Sequence, residues 1–166
     1  MEAIEAILSR RSIRRYQDRA VQPETVRLLL EAAMSAPSAS NMQPWQFVVI
    51  DSRALLDGVP EFHPHAAMLK ECPLAVLVCG EPETSRYWQQ DCAAATQNLL
   101  LAAHASGLGS VWLGLYPREE RVKGMRELVK VPEAVIPMAL VAMGHPAEQK
   151  PPSDRYSETK IHRNGW

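Results

Sequence analysis

Apolar positions recur along this chain at two spacings, about 3.6 and about 2 residues, and their alternation predicts its elements. Ile4, Ile7 and Leu8 share one face of a short helix over residues 1–9. Gln22-Pro23-Glu24 opens a second helix, since proline suits the first helical position and an acidic residue suits the positive N-terminal end. Its stripe is Val26, Leu29, Leu30 and Ala33, and Pro37 stops it near Ala36. Residues 37–45 read as a loop pinned by two prolines. Gln46–Ile50 is a strand of nearly continuous apolar residues, and Leu74–Cys79 is a second. Short helices are predicted over Ser52–Leu56 and Ala66–Glu71.

Trp88–Ser106 is the longest predicted helix. It is rich in alanine and leucine on several sides, which suits the centre of a fold or a subunit interface, and Gly107 caps its end. A strand over Ser110–Leu115, a helix from Pro117 to Val129 and a strand over Met138–Met143 follow. After Pro152 the chain carries few apolar side chains but ends in Ile161 and Trp166, and Thr159–Arg163 is expected to be extended. Helices alternating with short apolar strands predict one α+β domain over residues 1–166, with a central sheet flanked by helices.

Composition narrows the function. The chain has 166 residues, 46% hydrophobic and 22% charged, with a formal net charge of -1. A nucleic-acid-binding domain is usually strongly basic, so nucleic acid is not an expected partner. No apolar run reaches the roughly 18 residues of a membrane span. The acidic N-terminus lacks a signal peptide's basic and apolar regions, which predicts a cytoplasmic protein. Cys72, Cys79 and Cys92 show no CxxC spacing and are expected to be free, buried thiols.

Against this near-neutral background, Arg10-Arg11-Ser12-Ile13-Arg14-Arg15 stands out. A guanidinium offers a planar fork of donors that matches phosphate oxygens, and extended backbone sends Arg10, Ser12 and Arg14 the same way. The Pro37–Trp45 loop adds small hydroxyl and amide groups, and Lys160 and His162 stand two apart on the tail. Other chemistries find little support. Gly107-Leu108-Gly109 follows a helix and precedes a strand, the reverse of a dinucleotide fingerprint. His63-Pro64-His65 lacks further metal ligands and reads as a surface loop. His104 reads as a core or interface residue, and Asp91 shows no acid/base pairing. A phosphate-reading cluster without acid/base machinery suits a protein whose cofactor does the chemistry.

On these residues the chain resembles the nitroreductase family in its compact form. Arg10-Arg11-Ser12-Ile13-Arg14 is similar to the family's N-terminal signature, and Pro37-Ser38-Ala39-Ser40-Asn41 with Gln43-Pro44-Trp45 is similar to its Ser/Asn loop. Trp112-Leu113-Gly114 resembles the strand under the flavin. Lys160-Ile161-His162 resembles the C-terminal basic pair, with histidine where longer members often have arginine.

The resemblance implies a mixed, mostly antiparallel sheet and a homodimer with exchanged C-terminal extensions. It implies two FMN molecules in the interface, each held by Arg10, Arg11, Ser12 and Arg14 of one subunit and by Pro37, Ser38, Ala39, Ser40 and Asn41 of the other. Gln43, Trp112, Leu113 and Gly114 also belong to the implied cofactor site. Arg10, Ser12, Lys160 and His162 would serve the phosphate, Arg14 would lie near N1 and O2 of the ring, and backbone N–H groups of Leu113 to Leu115 would meet N5 and O4. The implied activity is ping-pong transfer of hydride from NADH or NADPH to N5, then of electrons to a nitroaromatic, quinone or similar acceptor, with no catalytic side chain and no metal. A specialised dehydrogenase or reductive dehalogenase of the same fold, or a non-catalytic FMN carrier or sensor, are the alternatives.

Overall fold

The computed structural model describes residues 1–166. Its elements in chain order are α1 (Ala3–Ser9), α2 (Pro23–Met34), β1 (Trp45–Ile50), α3 (Arg53–Gly58), β2 (Leu74–Gly80), α4 (Trp88–Ala105), β3 (Gly109–Gly114), α5 (Glu119–Val129) and β4 (Ile136–Gly144). The strands form one sheet in the order β1-β2-β4-β3. All three pairings are antiparallel. The parallel element expected of a mixed sheet is reduced to a single bridge, Ser12 with Ser110.

The side chains of β2 alternate between two cores, so every one of its residues is buried. Ala75, Leu77 and Cys79 face a core with Leu56, Leu69 and Met125, under α3 and α5. Leu74, Val76 and Val78 face a core with Leu29, Leu99 and Ala103, on α2 and α4. A strand covered on both faces needs an unbroken apolar run, which is the pattern of Leu74–Cys79. Each fully buried leucine or valine contributes about 1.5–3 kcal/mol through removal of apolar surface from water.

Gly107, at φ 77°, ends α4 in the left-handed conformation that glycine adopts without steric cost. The three cysteines are free and buried. No helix is long and apolar enough to cross a membrane.

Four expectations change. α5 begins at Glu119 rather than Pro117. The turn near Ala66 is a short 3-10 helix over Ala67–Lys70. The extended strand expected over Thr159–Arg163 is instead a 3-10 turn, Glu158–Lys160, in an exposed tail, because no sheet edge within the chain receives it. The apolar face of α1 is left largely uncovered: Ile4, Ile7 and Leu8 are 67%, 52% and 61% exposed.

Candidate functional site

The arginine stretch is laid along the open edge of β3. Ile13 N–H donates to the Ser110 carbonyl at 3.0 Å, and the Ile13 side chain is buried against Gly109, where a Cβ would stand 2.6 Å from its Cγ2. On the other side, residues 145–150 bracket the stretch. Ala147 N–H donates to the Arg15 carbonyl (2.9 Å), Lys150 Nζ to the Ser12 carbonyl (2.7 Å), and Arg14 N–H to Glu148 Oε1 (2.5 Å). Lys150 also pairs with Glu148 at 3.2 Å. Glu148 is held below the usual carboxylate range, chiefly by the Arg14 amide. A cavity of about 340 Å³ lies beside this stretch, lined by Ser9, Arg11, Ile13, His104, Gly109 and Lys150 among others.

The guanidiniums of Arg10, Arg11 and Arg14 make no ion pair with any carboxylate. Arg11 bonds instead to the Pro151 carbonyl. Burial, then the neighbouring charges of Arg155 and Arg11, lower the pKa of Arg10. Arg10, Arg11 and Arg155 gather positive charge that suits an anion, beside a cavity whose one carboxylate, Glu148, is taken up by the Arg14 amide and Lys150. Arg155, which the sequence reading missed, belongs to this group.

Beyond Ser110 no strand pairs with the outer edge of β3. The Ser110 carbonyl faces that edge, and strand alternation turns the backbone groups of Trp112 and Gly114 the same way. Leu115 N–H faces inward, to the Met138 carbonyl at 3.1 Å. Leu113 is buried below, while Trp112 remains 37% exposed. A Cβ on Gly114 would meet nothing within 4 Å, so the space over this edge is open. Ser110 Oγ is buried without a partner.

The second group of candidates lies elsewhere. Pro37, Ser38, Ala39, Ser40, Asn41 and Gln43 lead into β1, at the opposite end of the strand order. With roughly 4.8 Å per strand, three steps separate β1 from β3 by about 14 Å. The loop is built on positive φ angles at Ser40, Asn41 and Gln43 (50°, 56° and 50°). Local bonds hold it, Gln43 N–H to Ser38 Oγ (3.0 Å) and Gln43 Nε2 to Asn41 Oδ1 (2.9 Å). Asp91 anchors it to α4: the buried carboxylate accepts the Ala39 N–H at 2.9 Å and the Ser85 hydroxyl at 2.9 Å. Lys160 and His162 join neither group. Lys160 is exposed, and His162 stacks on Trp166 at 4.4 Å.

The expectation of a surface His63 is overturned. The ring is 2% exposed and its Nε2 lies 3.1 Å from the Gly114 carbonyl. That partner, 51 residues away in sequence, is invisible in the local polar pattern His-Pro-His. His104 is half-buried and bonds Ser9 Oγ at 2.8 Å, tying α4 to α1.

The chain as a whole is similar to several known proteins. The model of the Nitroreductase family matches residues 7–71 and 60–145. A Methanothermobacter thermautotrophicus protein named "Putative NADH dehydrogenase/NAD(P)H nitroreductase" is 46% identical, over 100% of this chain and 88% of its own. A crystal structure of a protein of that same name from Bacteroides thetaiotaomicron superposes with a TM-score of 0.97 at 42% identity, covering 99% of this chain and 98% of that one. An FMN-dependent nitroreductase of Clostridium difficile superposes with a TM-score of 0.93 at 30% identity, covering 98% and 99%. The chain belongs to the nitroreductase family.

Proposed function

We propose that this chain is an FMN-dependent oxidoreductase that works in the cytoplasm as a homodimer. It draws electrons from NADH or NADPH and delivers them to a nitroaromatic, quinone or similar small acceptor. One observation carries the reading. The residues suited to hold a flavin are split between opposite edges of one sheet, so that a second copy is needed to complete each site. The Clostridium difficile relative is named for FMN and the Methanothermobacter relative for NAD(P)H, which supports the cofactor and the donor.

The residues present fit FMN. Arg10, Arg11 and Arg155 form a cationic group in which no arginine is ion-paired to a carboxylate, suited to a terminal phosphate. Ser12, Lys160 and His162 would add donors there. The buried Ser110 hydroxyl is an orphan donor beside that group. The open backbone edge at Trp112 and Gly114 would hold the acceptor atoms of the ring, above a floor that includes Leu113. Arg14 would face the end of the ring where charge develops on reduction. Pro37, Ser38, Ala39, Ser40, Asn41 and Gln43 of the second copy would close the site.

Bound FMN supplies hydride acceptance from the nicotinamide and onward reduction of the acceptor in a ping-pong cycle. The protein's part is to anchor, orient and stabilise charge, with no side chain assigned to proton transfer. The exposed apolar face of α1 and the exposed Ile161 and Trp166 support a subunit interface.

Chromatography of flavin released on denaturation and sedimentation of the native protein test the reading. FMN in a dimer is expected, with weaker FMN retention and weaker association after deletion of residues 153–166. Released FAD, no flavin, or a flavin-loaded monomer overturns it. Turnover of NADH or NADPH with an artificial acceptor separates an enzyme from a carrier.

A further inference from the structure

The Gly114 carbonyl accepts two side-chain donors from two different parts of the chain. His63 Nε2 approaches from the 59–66 segment at 3.1 Å, and Arg121 from α5 at 3.0 Å. The histidine is fixed in one tautomer. Its Nδ1 accepts the His65 N–H at 3.3 Å, so the proton must sit on Nε2, aimed at Gly114. Arg121 forms no ion pair with any carboxylate, and its Nε is buried without a partner. A charged donor bonded to a carbonyl is one of the stronger hydrogen bonds in a protein, and here the charge is not cancelled locally.

Gly114 is the last residue of an edge strand. It has no side chain to pack and no strand on its outer side. Its carbonyl shares a peptide plane with the Leu115 N–H, which the Met138 carbonyl holds at 3.1 Å, and the two donors hold that plane from the other side. The peptide plane on the C-terminal side of the residue is thus fixed at both its oxygen and its N–H.

We propose that His63 and Arg121 are positioning residues for the flavin. Together they hold the peptide plane that follows Gly114 and so restrain the residue whose N–H faces the open edge, and Arg121 places a positive charge without a carboxylate partner at the end of that edge. This rests on the FMN reading above and extends it to two residues outside the arginine cluster. A restrained donor and a nearby cation both favour the reduced, more negative flavin over the oxidised one. The pair therefore sets the two-electron potential more than it sets the affinity for oxidised FMN.

The experiment compares FMN-saturated wild type, Arg121→Met, Arg121→Lys, His63→Leu and His63→Gln. It measures the dye-equilibrated midpoint potential, the dissociation constant for oxidised FMN and the thermal midpoint. Arg121→Met is expected to weaken reduced FMN about tenfold relative to oxidised FMN, a shift of about 30 mV to more negative values. Arg121→Lys, which keeps the charge, recovers most of it. His63→Leu shifts the same way, and His63→Gln, which keeps a donor at the Nε2 position, recovers. If Arg121→Met does not fold, the His63 pair reads the same quantity through the other donor. Equal potentials in wild type and in the folded variants, with FMN bound, overturn the clamp and leave the FMN reading standing. A wild type that binds no FMN overturns both.

Discussion

The Asp91 carboxylate lies 2.9 Å from the Ala39 amide, joining the first turn of α4 to the loop before β1 across 52 residues of sequence. The other oxygen takes the Ser85 hydroxyl, so the buried carboxylate is bonded on both sides. The loop's left-handed residues are thus held from outside as well as by their own hydrogen bonds.

Asp91→Ala should strand the Ala39 and Ser85 donors. Leaving a buried polar group unpaired costs about 1–3 kcal/mol. The urea midpoint is expected to fall accordingly, and FMN is expected to dissociate faster, because the loop belongs to the second half of the proposed site. An unchanged midpoint and unchanged FMN retention would show that the loop holds itself.

Gly109→Ala tests the seating of the arginine stretch. A methyl group there overlaps Ile13, at 2.6 Å from Cγ2 and 2.8 Å from Cβ. Overpacking of this kind costs about 1–3 kcal/mol, and relief by displacing Ile13 would move Ser12 and Arg14 with it. FMN binding should weaken along with stability. Gly165→Ala, where a Cβ meets nothing within 4 Å, serves as the neutral comparison.

Stability should fall on mild acidification. Burial, chiefly, holds His63 and His104 below their ordinary value of 6.5. The unfolded chain takes up protons as pH drops through that value while the folded chain resists. The stabilisation is therefore present above about pH 6.5 and is lost as pH falls toward the lowered folded values. Denaturation midpoints at about pH 7.5 and about pH 5.5 are expected to differ, and to differ less in His63→Gln. An identical drop in the variant would remove His63 from the account.

Arg10 and Arg14 should separate binding from redox tuning. The phosphate keeps its charge on reduction, so Arg10→Gln and Ser12→Ala should weaken oxidised and reduced FMN about equally. Arg14→Gln should weaken the reduced form more. A differential of about 1.4 kcal/mol is a shift of about 30 mV to more negative potential, and solvent screening at an exposed arginine reduces it. Equal potentials in all three variants would make Arg14 one more anchor.

The sequence carries the parts of the fold that depend on local pattern. The apolar run Leu74–Cys79 announces a strand covered on both faces, and the alanine-rich register of Trp88–Ser106 announces the central helix. What it hides depends on partners distant in the chain. His63 is polar and flanked by Pro64, so nothing local signals that it ends under the Gly114 carbonyl. Asp91 sits in an apolar helix, where one acid reads as an exposed side chain, yet its partners are Ala39 and Ser85. Arg121 and Arg155 look like ordinary surface charges, and only their neighbours in three dimensions, the Gly114 carbonyl for Arg121 and Arg10 for Arg155, single them out. The tail failed as a strand because pairing is a property of a receiving edge, which the tail's own residues do not encode.

The burial of the three cysteines has a chemical consequence. Desolvation pushes Cys72 up to about 11, and Cys79 and Cys92 up to about 12. Near neutrality almost none of this sulfur is thiolate, the nucleophilic form that attacks peroxides and disulfides. The protein keeps its sulfur protonated and out of the reach of oxidants, so oxidative ageing should begin at exposed methionines such as Met34 and Met42 and spare the core.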